Sequence, residues 1–368
     1  VAWLLLLVAG AAALTGCGSP SSTSGSPAAI PPAASVEVGN PWRPVTLTES
    51  GSSLMLPYLQ RIAGPIKADY PNLTLAPSAG GTAKAVSDAI SGAVVLGGSD
   101  AYLSDGQAAL NPDVRSIPIA VSAQAINYNV PGVSDLKLSG DVLARIYQGR
   151  VSRWNDPAIA GLNPGVALPP SVIVPVRRSD ASGDTFIFTS FLDATNDDWQ
   201  NGPAFSTIVT WPAVQGELTA SGNAAMVQVC RQTPGCIAYV GTNAEQAAVS
   251  GGLGQAMLRN RAGAFVKPTH DAITAAVTAR AAAIPPDLRD SLICADGAQS
   301  YPIVNYEYLL VKSPQADADM ALAVRSVLAW AVDTDRGSSS ANLDAVDFVA
   351  LPSTTVARVR AAIAGITA

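Results

Sequence analysis

A single histidine and four cysteines are all the imidazole and sulfhydryl chemistry that 368 residues contain. A zinc centre needs four ligands, and His270 with Cys17, Cys230, Cys236 and Cys294 at these spacings does not build one, so neither a metal nor a cofactor is expected. Charge is scarce as well. Asp, Glu, Lys and Arg make up 14% of the chain and the formal net charge is −6. That balance excludes nucleic acid and anionic membrane surfaces as electrostatic partners, because both reward clustered Lys and Arg. No Gly-x-Ser-x-Gly elbow is present, and His270 lies in Lys267–Asp271, which reads as an exposed helix start. A hydrolase acting through Ser182 or Ser53 would therefore lack its base.

What the chain does have is apolar content, 48% of its residues, enough to bury a large core and to divide into two lobes. The first apolar run, Trp3–Ala13, is too short to span a bilayer as a permanent helix and reads as an export signal over residues 1–16. No Lys or Arg precedes it in this sequence, so the true start is expected upstream or at another residue. Leu14-Thr15-Gly16-Cys17 resembles the lipobox of bacterial lipoproteins, in which the cysteine takes lipid and anchors the chain. Gly18–Gly39 is almost entirely Ser, Gly, Pro and Ala, and the stretch 17–44 is read as a tether. A flexible coil of this length reaches roughly 25 to 30 Å.

Export places the other cysteines where disulfides persist. Cys230 and Cys236 bracket a Pro-Gly turn that can bring their sulfurs together, and a bridge is expected there, contributing on the order of 2 to 3 kcal/mol. Cys294 is left as a buried thiol.

From Val45 onward, short strands, polar turns and helices alternate, which predicts an α/β fold. Thr46–Thr48 leads through Glu49–Ser53 into a helix from Leu54. Leu73–Ala76 leads through Pro77–Thr82 into a helix with Val86 and Ile90 on one face. Val94–Ser99 is a strand running into Asp100. Val172–Val176 reads as a buried strand, followed by Arg177, Arg178, Ser179, Asp180, Ala181, Ser182, Gly183 and Asp184, then a helix carrying Phe186, Ile187, Phe188, Phe191 and Leu192. Three of these turns sit at helix N-termini, where backbone N–H groups lack intrahelical partners and the dipole is positive. Ligands of open α/β sheets lie beyond the carboxyl ends of the strands, where these turns fall, so the combination points to an oxyanion. Val174, Val176 and Arg178 share one strand face, with Arg177 turned away.

The stretch Arg177–Leu192 resembles the signature of phosphate-binding proteins of bacterial ABC phosphate transporters. Gly97–Ser104, Leu138–Gly149, Arg153–Pro157, Tyr301–Tyr306 and Val349–Pro352 fit the same family, and the resemblance runs from about Val45 to the end. The Cys-bracketed loop and Asp184 are most similar to the actinobacterial branch. The resemblance implies a two-lobed, type II periplasmic-binding fold, each lobe a mixed sheet flanked by helices, with two crossover strands at Ser122–Tyr128 and Ile303–Glu307. Lobe I would comprise 45–125 plus 303–368, and lobe II 126–302.

The resemblance further implies that Ser53 gives a hydroxyl and a backbone N–H to phosphate, and that Leu54, where the family usually has an aromatic, gives a backbone N–H. Ungapped counting back from Asp100 brings Thr82 to the family's serine position, and a gapped alignment brings Ser78. Arg178 would face the anion with Asp180 holding its guanidinium. Ser182 would add a hydroxyl, Ser182 and Gly183 backbone donors. Asp184 stands where other branches carry threonine, and would accept a phosphate proton, cap the helix or orient Arg178. Asp100 would accept the proton that phosphate keeps near neutral pH and sulfate lacks. The implied protein is a non-catalytic monomer, lipid-anchored outside the cytoplasmic membrane, that delivers inorganic phosphate to ABC permease subunits. An exported serine hydrolase or phosphatase is the alternative, and a phosphate sensor or adhesin on the same fold a further one.

Overall fold

The computed structural model describes residues 35–368. The export signal, Cys17 and most of the expected tether lie outside the described residues.

Three short strands, β1 (Val45–Gly51), β2 (Leu73–Ala76) and β3 (Leu96–Ser99), open the fold and pair in parallel, β1 lying between the other two. The helices between them follow the expected pattern. Leu56–Asp69 carries Pro57 in its first turn and buries Tyr58, Leu59, Ile62 and Ile66 along one stripe. It begins two residues after the expected Leu54, because Ser53–Met55 form a turn. Thr82–Ser91 starts after Gly81, whose φ of +80° is a conformation that L side chains rarely adopt.

The fourth strand, β4 (Val114–Tyr128), is fifteen residues long, and all but Arg115 are buried. Such a near-continuous apolar run is what a strand covered on both faces requires. β5 (Lys137–Leu138) belongs to a small separate sheet. The other half of the main sheet comes from β6 (Val174–Arg178), β7 (Leu218–Ala220) and β8 (Cys236–Gly241). β9 (Gly254–Gln255) pairs with β4, while β10 (Met257–Arg259) and β11 (Phe265–Val266) complete the small sheet. The last strand, β12 (Val304–Lys312), returns antiparallel to both β3 and β4.

The main sheet therefore runs β2-β1-β3-β12-β4-β8-β6-β7. β4 pairs with β12 over Val114–Ala123 and with β8 over Gln124–Tyr128, so one unbroken strand joins two mixed sheets. Ser122 and Asn305, from the two segments expected as crossovers, are direct partners. This is the two-lobed α/β architecture expected.

One local reading is refined. β6 starts at Val174 rather than Val172, which is 48% exposed and makes only an isolated bridge with Arg153. Cys230 lies in the last turn of the helix Asn223–Gln232 and Cys236 opens β8, and the two form the expected disulfide with Cα atoms 5.3 Å apart. Cys294 is a buried free thiol. No helix among the described residues is long and apolar enough to cross a membrane.

Candidate anion-binding site

β3 ends at Ser99, and the following residue turns its carboxylate inward. Asp100 is fully buried. Its Oδ2 accepts hydrogen bonds from Ser52 Oγ at 2.6 Å and Thr82 Oγ1 at 3.2 Å, and Asn305 Nδ2 donates to its carbonyl at 2.6 Å. Burial pushes the Asp100 carboxyl up to about 6, with the nearby Asp184 charge acting in the same direction and the neighbouring Glu307, Ser52 and Thr82 opposing both.

The β6 turn faces this carboxylate. Arg178 closes β6 with its side chain only 2% exposed. Its Nε donates to Asp180 Oδ1 at 2.7 Å, and its two terminal nitrogens donate to Asp180 Oδ2 and Asp184 Oδ2. Burial disfavours the cation, but the Asp184 and Asp180 carboxylates outweigh it and hold the guanidinium pKa above its ordinary value. Asp180 likewise stays below the usual carboxylate range despite burial, through the bonds and charge of Arg178. Arg177 turns away, pairing with Glu217 and lying over Trp211.

The helix Gly183–Thr195 is N-capped by Ser182, whose Oγ accepts from Thr185 N–H and donates to Asp184 Oδ2, each at 3.4 Å. Gly183 is its first residue, and a β-carbon there would stand 2.0 Å from Asp100 Oδ2. Only glycine admits that approach. Ser53 completes the junction, its Oγ lying 3.5 Å from the Arg178 guanidinium.

Ser53, Thr82, Asp100, Arg178, Asp180, Ser182, Gly183 and Asp184 are thus brought together. Three expected groups are otherwise engaged. Leu54 N–H donates to Ser52 Oγ at 3.0 Å, and Ser182 N–H donates to the Thr207 carbonyl at 3.0 Å. Ser78 donates its hydroxyl to the Glu49 carbonyl at 2.7 Å and its N–H to the Glu49 carboxylate at 3.2 Å, so Thr82 is the hydroxyl beside Asp100.

Several residues at the site were not singled out in the sequence. Gln124 Nε2 donates to Asp184 Oδ1 at 2.8 Å, and Asn223 Nδ2 reaches the same oxygen at 3.5 Å. Both Asp184 oxygens therefore carry two donors. Tyr239 OH accepts the Arg178 N–H at 2.9 Å. Glu307 is fully buried on β12, one residue beyond the Tyr308–Ser99 pair and so beside Asp100. A signal for Gln124 and Glu307 existed: a long polar side chain inside an otherwise apolar strand must find a buried partner.

The local charge is not simply positive. Asp180 and Asp184 surround one guanidinium, so an incoming anion meets hydrogen-bond donors and a helix dipole more than net charge. Among the described residues no group of three or more His, Cys, Asp and Glu could hold a metal ion.

A family model described as PBP superfamily domain matches residues 31–334. Phosphate-binding protein PstS of Methanocaldococcus jannaschii is 35% identical over 246 residues, covering 62% of this chain and 61% of that protein. The chain spans less than two thirds of that relative. Phosphate-binding protein PstS3 of Mycobacterium bovis is 32% identical over 335 residues, 88% of each. Among solved structures, a high affinity periplasmic phosphate-binding protein (PfluDING) bound with phosphate matches with a TM-score of 0.68 and 22% identity, over 86% of this chain and 93% of that one. That likeness speaks for the fold, a type II periplasmic-binding arrangement. The chain belongs to the PBP superfamily and, within it, to the PstS family of phosphate-binding proteins.

Proposed function

We propose that this chain binds inorganic phosphate outside the cytoplasmic membrane and passes it to the permease subunits of an ABC importer. The observation that carries the reading is the buried Asp100 carboxylate set against the helix N-terminus at Gly183, where Arg178 meets Ser53 Oγ across the same turn. The N-terminus and guanidinium favour an oxyanion, while an ionised carboxylate can only accept a hydrogen bond. An anion that keeps a proton satisfies both. Phosphate does so near neutral pH and sulfate does not, so Asp100 attracts one and repels the other.

In this reading Ser53, Thr82, Ser182, the N-terminal backbone of Gly183 and Arg178 donate, and Asp100 accepts. Leu54 N–H joins if it exchanges its bond to Ser52 for one to the ligand. With both oxygens already carrying two donors, Asp184 steadies Arg178 rather than taking a second phosphate proton. Asp180 holds the guanidinium from the other edge.

Lobe I is taken as 45–125 plus 303–368 and lobe II as 126–302, a division supported by the change of β4 partner between Ala123 and Gln124. Anchoring through a lipidated Cys17, export and a monomeric state complete the proposal. The serine-hydrolase reading is disfavoured by the engagement of Ser182 with Asp184 and Thr185, and by the exposed position of His270 at the start of the helix His270–Arg280.

Phosphate titration by calorimetry with sulfate as competitor tests the proposal. Tight binding of phosphate alone is expected, and equal affinity for sulfate rejects the selectivity mechanism. Phosphatase activity lost in Ser182→Ala would revive the hydrolase.

A further inference from the structure

Two buried carboxyl oxygens next to the site, Asp100 Oδ1 and Glu307 Oε2, have no hydrogen-bond partner among the donors around them. The other oxygen of each group is satisfied. Asp100 Oδ2 accepts from Ser52 and Thr82, and Glu307 Oε1 accepts from Ser122 Oγ at 2.5 Å. Ser99 lies opposite Tyr308 in the antiparallel β3–β12 pair, so Asp100 and Glu307 are the next residues along it, and each carboxyl acts on the other's ionisation. Two ionised carboxylates in that position would be like charges buried without donors, an arrangement that costs far more than retaining one proton. The backbone favours the contact as well. The β12–β4 register shifts between Glu307 and Tyr308, and such irregularities re-aim side chains beside sites.

We propose that Glu307 is a positioning residue that holds this proton, its Oε2–H donating to Asp100 Oδ1, so that Asp100 stays anionic with Oδ2 turned to the ligand. Gly183 marks which oxygen faces the turn, since a β-carbon there would collide with Oδ2. Glu307 thus divides the labour of the carboxylate, occupying one oxygen and leaving the second to Ser52, Thr82 and the ligand.

The charged and titratable groups around the pair are few. Asp184 and Arg178 approach from the β6 turn, already paired with one another. Glu49 on β1 is directed to Ser78 and Gly98. β12 contributes the neutral Asn305, which holds the Asp100 carbonyl. Burial, then the proximity of Asp100, places the Glu307 carboxyl well above its ordinary range, in keeping with a neutral acid.

The location of the proton is independent of the ligand; its effect on selectivity rests on the phosphate reading above. The test therefore has two arms, using the whole protein. In the first, infrared difference spectroscopy between wild type and Glu307→Gln near neutral pH should show a protonated carboxyl band that the variant lacks. Absence of that band overturns the inference whether or not phosphate binds.

In the second, phosphate binding in the presence of sulfate is followed against pH for wild type, Glu307→Gln and Glu307→Leu. Glutamine still donates to Asp100 and still accepts from Ser122, so its pH midpoint for sulfate exclusion should match wild type. Leucine removes the donor and no charge, so its midpoint should move upward and phosphate affinity should fall ~10-fold, the loss expected on orphaning a buried acceptor. If Glu307 were ionised, either substitution would delete a negative charge and move the midpoint downward, which overturns the proposal. A wild-type protein that does not prefer phosphate to sulfate would reject the function while the infrared band still decides the place of the proton.

Discussion

Asp100 and Gly183 come from opposite sides of the site and pack so closely that no side chain larger than hydrogen fits at residue 183, where a β-carbon would meet Oδ2 at 2.0 Å. Helix propensity alone would favour Gly183→Ala, by roughly 0.5–1 kcal/mol at a helical position. The clash outweighs it, because overpacking costs about 1–3 kcal/mol and the carboxylate has no free space to enter. The variant should fold, by circular dichroism, but melt lower and bind phosphate at least ~10-fold more weakly in calorimetry.

Asp100→Asn replaces an acceptor with a group that can also donate. Discrimination between phosphate and sulfate, on the order of 10⁴ where a site demands a ligand hydroxyl, should collapse by two or more decades in competition titrations. In wild type the same discrimination should weaken as pH falls through about 6, where Asp100 takes up its own proton.

Arg178→Ala removes the counter-charge from Asp184, whose side chain is 1% exposed. Leaving that buried carboxylate without its counter-charge, held only by Gln124, Asn223 and Ser182, should cost about 3–5 kcal/mol in addition to abolishing phosphate binding. Arg178→Lys should recover part of the stability but little binding, since one ammonium cannot serve Asp180, Asp184 and a ligand in fixed directions. Thermal unfolding and calorimetry on the three proteins separate the two effects.

Glu49 offers a pH test away from the ligand. Burial raises its carboxyl from 4.5 to about 7, against bonds from the Ser78 and Gly98 backbone. The folded state therefore binds this proton more tightly than the unfolded chain. Its contribution to stability is fully present below pH ~4.5 and is lost as pH rises through about 7, amounting to ~3 kcal/mol at most. The melting temperature of Glu49→Gln relative to wild type should climb across that window, and a constant difference would remove Glu49 as the titrating group.

How far the sequence reaches depends on where a residue's partners come from. Strand–turn–helix junctions are local, so β1, β2, β3 and β6 and the caps behind them could be read from nearby turn chemistry and apolar spacing. Arg178 with Asp180 is also local, two residues apart. Gln124, Asn223 and Glu307 are different, because their partners lie 60, 39 and 207 residues away and nothing in the flanking pattern names them. Ser52 was hidden by its neighbour: two adjacent serines in a turn point in different directions, and only the path of the chain from β1 decides which one reaches Asp100. The difference between Thr82 and Ser78 has the same origin: a helix starts at Thr82, whose hydroxyl reaches Asp100, while Ser78 is attached to Glu49.

β4 is paired with β12 up to Ala123 and with β8 from Gln124 onward, and Gln124 is also the residue that grips Asp184. The strand's change of allegiance and the hold on the arginine-bound carboxylate are carried by one amino acid, its backbone serving the first and its amide the second. Were the two sheets to rotate about this point, the amide that holds Asp184 would move with the strand. The change of partner along the strand and the grip on the carboxylate that pairs the buried cation meet in a single residue.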